Sequence, residues 1–136
     1  MKLVADTNRI IAALLRDSVS RKIFYSSKFS LSSVAFARVE LKKYESFLLD
    51  KTDMKESVFL RFMENLFRRI EWYDEAKISK TNAVRAEVLL REKDEKDIPF
   101  LALALELECG IWTEDRDFQV QRQSKVWSTD ELKQML

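Results

Sequence analysis

One glycine and one proline in 136 residues leave this chain few ways to turn tightly. Hairpin turns and flexible linkers both draw on these residues, so their scarcity favours helices joined by short connections. The length suits one hydrophobic core. Hydrophobic residues make up 46% of the chain and charged residues 35%, a globular balance with no room for a disordered majority.

Hydrophobic spacing divides the chain into alternating strands and helices. Lys2–Ala5 is a short apolar run that predicts a buried strand. Asp6, Thr7 and Asn8 then supply capping side chains ahead of Ile10, Ile11, Leu14 and Leu15, which recur at helical spacing. A short helix is expected over Ser20–Ser27 and a strand over Phe29–Leu31. Ser32 and Ser33 are expected to cap a helix reaching about Asp50, with Phe36, Glu40, Tyr44 and Phe47 on one inward face. A further amphipathic helix spans Met54–Arg68, and Ile70–Tyr73 reads as a third strand. Ser79–Arg91 predicts another helix, followed by a solvated connection over Glu92–Lys96. Asp97, Ile98 and Pro99 open the next helix, for which Gly110 is the expected terminator. Ile111–Thr113 and Lys125–Trp127 complete about five short strands, and Ser128 or Thr129 caps a last helix. Such alternation implies an α/β sandwich with a mostly parallel sheet and helical crossovers.

Composition also narrows the chemistry. Without histidine, the usual general base is missing, as are Ser-His or Cys-His nucleophile pairs and histidine-ligated zinc. One glycine cannot write a P-loop or a dinucleotide fingerprint. An enzyme built from this chain must work through carboxylates, which favour hard cations such as Mg²⁺ or Mn²⁺. The lone Cys109 cannot form an internal disulfide, and its apolar setting suits a core residue. No apolar run is long enough to span a bilayer, and Asp6 interrupts the first apolar stretch, so no signal peptide is expected. These features predict a cytoplasmic protein with no membrane association. The formal net charge of +1 neither demands nor forbids a nucleic-acid partner.

A parallel sheet has a geometric consequence for the acids. Strand carboxyl ends and helix amino ends share one edge, where ligands usually bind. Asp6 follows the first strand, Asp115 lies just beyond the strand at Ile111–Thr113, and Asp97 opens the helix before that strand. Glu40 sits about two turns into its helix. Four carboxylates scattered over the chain therefore converge on one rim. Taken singly, Asp6 and Asp97 are good helix caps, Asp115 suits a charged surface, and Glu40 suits a salt bridge. Taken together, their mutual repulsion is relieved by a bound Mg²⁺ or Mn²⁺, which can also activate water and stabilise charge on a phosphoryl group. Helix amino ends on the same rim favour an anionic substrate. The chemistry indicated is phosphodiester hydrolysis.

At these residues the chain resembles the PIN-domain superfamily. Asp6-Thr7-Asn8 after a strand is similar to its opening aspartate motif, and Val39-Glu40-Leu41 to its internal glutamate. Asp97-Ile98-Pro99-Phe100-Leu101 resembles its third acidic motif, and Ile111-Trp112-Thr113-Glu114-Asp115-Arg116-Asp117-Phe118 its closing one. The likeness spans nearly the whole chain in family order. It implies one PIN-like domain over 1–136, a three-layer sandwich, and Mg²⁺- or Mn²⁺-dependent nuclease activity, usually on RNA. Asp6, Glu40, Asp97 and Asp115 would then be the catalytic, metal-binding acids, with Asp117 as an auxiliary ligand. Thr113 and Asn8 would orient carboxylates by hydrogen bonds. Asp94 stands as an alternative to Asp97, or its helper. Many small members resemble VapC-type toxins, which pair with a small antitoxin and form homodimers; others process RNA or have lost activity.

For holding RNA, the candidate cations are Arg9, Arg38, Lys42, Lys43 and Arg116, against the alternative of a solvated helix face. Trp72, Trp112 and Trp127 suit strand and core positions better than base stacking. Phe59, Phe62, Met63, Leu66 and Phe67 predict a helix packed on the sheet, with an excess that would serve a dimer or antitoxin surface. Two other readings stand beside the ribonuclease: a catalytically silent interaction module that keeps the fold, and a different Mg²⁺-dependent phosphoesterase.

Overall fold

The computed structural model describes residues 1–15 and 18–136. Along the chain run β1 (Lys2–Ala5), α1 (Thr7–Leu15), α2 (Ser18–Tyr25), β2 (Ser30–Val34), α3 (Ala35–Lys43), α4 (Glu45–Asp50), α5 (Glu56–Arg68) and β3 (Ile70–Tyr73). Then follow α6 (Lys80–Leu89), α7 (Ile98–Leu107), β4 (Gly110–Trp112), β5 (Val126–Trp127) and α8 (Thr129–Lys133). The strands form one five-stranded sheet, in the order β3-β2-β1-β4-β5, and every pairing is parallel. A chain almost without glycine avoids hairpins in this way, since parallel neighbours are joined by crossovers.

Strand alternation sends successive side chains to opposite faces of the sheet, and β1 feeds two cores. Leu3 and Ala5 join Ile10, Leu14, Phe24, Phe59, Met63 and Trp112 on one face. Val4 joins Ala86, Leu90, Ile111, Phe118 and the α7 run Phe100–Leu105 on the other. The result is the three-layer α/β sandwich. No helix among the described residues is long and apolar enough to cross a membrane.

Several local expectations are corrected. Ser32 and Ser33 do not cap α3; both are buried within β2, where the Ser33 hydroxyl donates to the Ala5 carbonyl at 2.8 Å. The N-cap of α3 is Val34, which makes no side-chain cap bond, and the Phe36 amide donates to Glu75 Oε1 at 2.9 Å instead. The helix expected to reach Asp50 is broken at Tyr44 into α3 and α4. Its inward face is not the expected one. Phe36, Tyr44 and Phe47 are 54%, 59% and 59% exposed, whereas Ala37, Leu41 and Leu48 enter the cores. Both stripes have helical spacing, and only docking on the sheet distinguishes them.

Gly110 does not end α7. Glu108 does, in the left-handed region at φ 52°, with the Cys109 amide donating back to the Ala104 carbonyl at 3.0 Å. Gly110 instead opens β4, where a Cβ would lie 2.8 Å from the Lys125 carbonyl oxygen and from the Trp127 indole. Because part of that obstacle is backbone, Gly110→Ala is expected to destabilise the protein by about 1–3 kcal/mol, read as a lower urea midpoint. Burial pushes the Cys109 thiol up to about 11, so it stays a thiol at neutral pH.

Candidate active site

The strand order reverses at β1, whose carboxyl end therefore lies at a switch point of the sheet, between β2 and β4. Register sets the chemistry there. Ala5 pairs with Trp112, so the next residues, Asp6 and Thr113, leave adjacent strands side by side. The Asp6 amide continues the ladder by donating to the Trp112 carbonyl at 3.3 Å.

Asp6 is only 6% exposed, yet its carboxylate is well supplied with donors. Oδ1 accepts from the Arg9 amide at 3.0 Å, so Asp6 does cap α1, and Oδ2 accepts from the Thr113 hydroxyl. Thr113 Oγ1 in turn accepts from the Asp115 amide at 2.9 Å, and Asp115 Oδ1 from the Asp117 amide at 2.9 Å. One hydroxyl thus fixes Asp6 relative to Asp115. Burial raises the Asp6 pKa, with the Asp115 charge adding to it, while Thr113, the Arg9 amide and the Arg9 charge oppose the rise.

Asp97 has the opposite supply. It stands at the N-cap of α7 but makes no side-chain cap bond, and its Oδ2 is buried with no hydrogen-bond partner. Capping, the plain reading of this residue, does not account for it. Asp94 caps only the preceding 3-10 turn Glu95–Asp97, accepting from the Lys96 amide at 2.9 Å. Burial, then the charges of Asp115, Asp94, Asp117 and Asp6, push the Asp97 pKa up to about 7.

Asp6, Glu40, Asp94, Asp97 and Asp115 line one cavity of about 310 Å³, with Asn8 exposed at its edge. Oxygens of two of these, Asp97 and Asp115, and of Asp117 beyond the lining all lie within 4.8 Å of one another. Asp6 and Glu40 stand outside this triple. Glu40 is half-buried on the rim, reached from α3, rather than turned into the core. A divalent cation fits the arrangement: three carboxylates supply hard oxygen ligands, and an otherwise orphaned buried oxygen gains a partner.

The candidate cations scatter. Arg38 and Lys42 flank Glu40 in sequence but line a different groove, of about 470 Å³, with Glu64, Arg68 and Trp72. Two residues along a helix is about 200° of rotation, which carries them off the acid face. Arg9 is not on an open path, because its guanidinium donates to Thr129 Oγ1 at 3.0 Å and lies 4.0 Å from Glu114. Arg116 is exposed beside Asp115. All three tryptophans lie in strands, and Trp112 is fully buried.

Among the lining residues that sequence reasoning did not assign to the site are Phe36 and Lys96. Lys96 directly precedes Asp97, and Phe36 precedes Glu40 by one helical turn, so adjacency to the acids was the available signal.

Comparison with known proteins agrees with this architecture. No curated protein matches the chain. Among solved structures, a chain from VapBC2 of Rickettsia felis, bound to a DNA fragment from their promoter, superposes with a TM-score of 0.69 at 13% identity. The match covers 94% of this chain and 98% of that one, and at this identity it speaks for the fold. The family model described as PIN domain matches residues 4–136, and with that match the chain belongs to the PIN-domain family.

Proposed function

We propose that this chain is a divalent-metal-dependent endoribonuclease, organised as one domain over residues 1–136. Asp6, Glu40, Asp97 and Asp115 are its catalytic acids and, with Asp117, the residues that would hold Mg²⁺ or Mn²⁺. The observation that carries this reading is the buried Asp97 Oδ2 that nothing bonds, on a residue whose carboxylate lies within 4.8 Å of those of Asp115 and Asp117. A structural acid would be capped or paired; this one is left needing a cation.

A bound divalent cation would neutralise the acids, polarise a phosphoryl oxygen and ease deprotonation of a water. The chain's own residues do the rest. Thr113 and the Arg9 amide orient Asp6, and the same threonine ties Asp115 to it. Asp97, whose pKa burial and the neighbouring acids push up to about 7 without an ion, would be held ionised by the cation it ligates. Asn8, at the cavity edge, is placed to hydrogen-bond substrate or a neighbouring acid. Arg116 beside the acids, and Arg38 and Lys42 in the neighbouring groove, would hold the RNA backbone away from the cut.

Membership of a family whose members are in general nucleases supports the activity; RNA as substrate rests on the resemblance to its small ribonucleases. The likeness to a VapBC2 chain supports a small antitoxin as partner. The exposed Val39, Tyr44 and Phe47 support burial against a second copy in a homodimer. We place the protein in the cytoplasm, where its one half-buried cysteine stays reduced.

The test is cleavage of mixed single-stranded RNAs with product ends mapped. Cleavage is expected with Mg²⁺ or Mn²⁺ and not in EDTA. Equal cleavage in EDTA would sink the mechanism, and a silent module would show neither cleavage nor a Mn²⁺-dependent rise in unfolding midpoint.

A further inference from the structure

Phe36 places a large aromatic ring, more than half exposed, on the wall of the cavity that holds the acids. Single exposed apolar side chains are ordinary on protein surfaces. This one differs in its setting. Val34, Pro99 and Phe100 extend the apolar wall beside it, while the acids occupy the rest of the same cavity. Its backbone is pinned, because the Phe36 amide is held by the Glu75 carboxylate reaching across from the 3-10 turn Glu75–Lys77. A cavity lined both by acids and by apolar side chains, one of them an aromatic ring, suits a ligand that joins an anionic group to an aromatic one. A nucleotide has that form.

Charge makes the apolar wall matter more. Five carboxylates line the cavity against one lysine, Lys96, so the protein itself attracts phosphate poorly there. Close to the cut, affinity must come from a cation and from contacts that carry no charge. Aromatic stacking on a base is such a contact, and it tolerates any sequence.

We propose that Phe36 is the base platform of this site: an unpaired nucleobase next to the scissile phosphate stacks on its ring, so the site selects single-stranded over duplex substrate. The inference rests on the nuclease reading above. In a duplex each base is already paired and stacked, and bringing one to the ring would cost its unpairing and unstacking. Glu75 is the positioning residue for the platform, acting through the Phe36 amide.

The experiment measures steady-state cleavage of a short single-stranded RNA in Mn²⁺ by the full chain and by Phe36→Ala, Phe36→Leu and Phe36→Trp. A parallel arm measures anisotropy of the same fluorescein-labelled RNA, alone and annealed to its complement, in the Asp6→Asn background with and without Phe36→Ala. Phe36→Ala and Phe36→Leu are expected to raise KM about 10-fold (about 1.4 kcal/mol) with kcat changed less than about 2-fold, while Phe36→Trp keeps KM. The single strand should bind Asp6→Asn at least about 10-fold tighter than the duplex, and Phe36→Ala should remove most of that difference. Leucine behaving like phenylalanine would overturn stacking. So would unchanged KM and binding in Phe36→Ala, including the case where only the oligomeric state of that variant changes, which marks a protein contact. If the full chain cleaves nothing, the nuclease reading fails, and the anisotropy arm still decides whether Phe36 holds an unpaired base.

Discussion

Asp97→Asn is expected to make the metal-free protein more stable while cutting nuclease activity at least about 100-fold, the scale seen when a group that stabilises reacting charge is removed. The two effects have one origin. Without a cation, Asp97 carries a buried oxygen that nothing bonds, beside the charges of Asp115, Asp94, Asp117 and Asp6. Its pKa in the fold is about 7, against about 3.9 for an unfolded aspartate. Between those values the folded state holds a proton that the unfolded state has released. Stability from this group is therefore fully present below about pH 4 and is lost as pH rises through about 7. Asparagine removes that loss. Discounted for solvent screening, the gain at pH 8 is about 1–2 kcal/mol, or a midpoint higher by about 3–8 °C, and it vanishes near pH 4.

Saturating Mn²⁺ should reverse the order, because the native acids bind the ion and the variant binds it weakly. At a hundredfold excess over Kd the gain is about 2.7 kcal/mol. Thermal melts at pH 4 and 8, in EDTA and in Mn²⁺, check all four corners. An Asp97→Asn protein less stable at pH 8 in EDTA would show that the carboxylate serves the fold, and the candidate metal site would lose its main support.

Trp112→Ala is expected to cost about 3–5 kcal/mol, a large share of the stability of a protein this size. Trp112 is fully buried in β4, its ring 5.1 Å from that of Phe24, and its indole N–H donates to Thr129 Oγ1 at 3.0 Å. It therefore ties the sheet to both α2 and the start of α8. Trp112→Phe keeps the ring packing and gives up the hydrogen bond, so about 1 kcal/mol is expected for it. Urea midpoints for the two variants separate these contributions. A Trp112 that served as a base-stacking surface would give the contrary pattern, with lost RNA affinity and an almost unchanged midpoint.

Much of the fold was legible because local rules and tertiary packing agree in most elements. The strand Lys2–Ala5, the α5 stripe Phe59, Met63, Leu66 and Phe67, and the Ser128–Glu131 capping box each need only near neighbours to be recognised. Legibility failed where two local readings were equally good. Ser32 and Ser33 are strong capping residues, yet β2 takes them into its interior, and the Ala5 carbonyl gives Ser33 its partner. Gly110 has the form of a helix stop, but the close approach of the Lys125 carbonyl oxygen and the Trp127 indole is what requires a glycine there.

The sequence by itself narrowed the chemistry to be expected and determined which acids were candidates, because composition excludes alternatives and because a parallel α/β order sends Asp6, Asp97 and Asp115 to one edge. It also determined the family, through motifs spread along nearly the whole chain. Only the tertiary structure decided how the candidates differ. Asp6 is satisfied by Thr113 and Arg9, Asp94 by its own turn, and Asp97 by nothing, a distinction set by β1–β4 register and by the burial of the α7 amino end. It decided as well that Phe36 lines the cavity of the acids while Arg38 and Lys42 line another groove. Helical spacing states which residues share a face, but only docking on the sheet states which way that face turns.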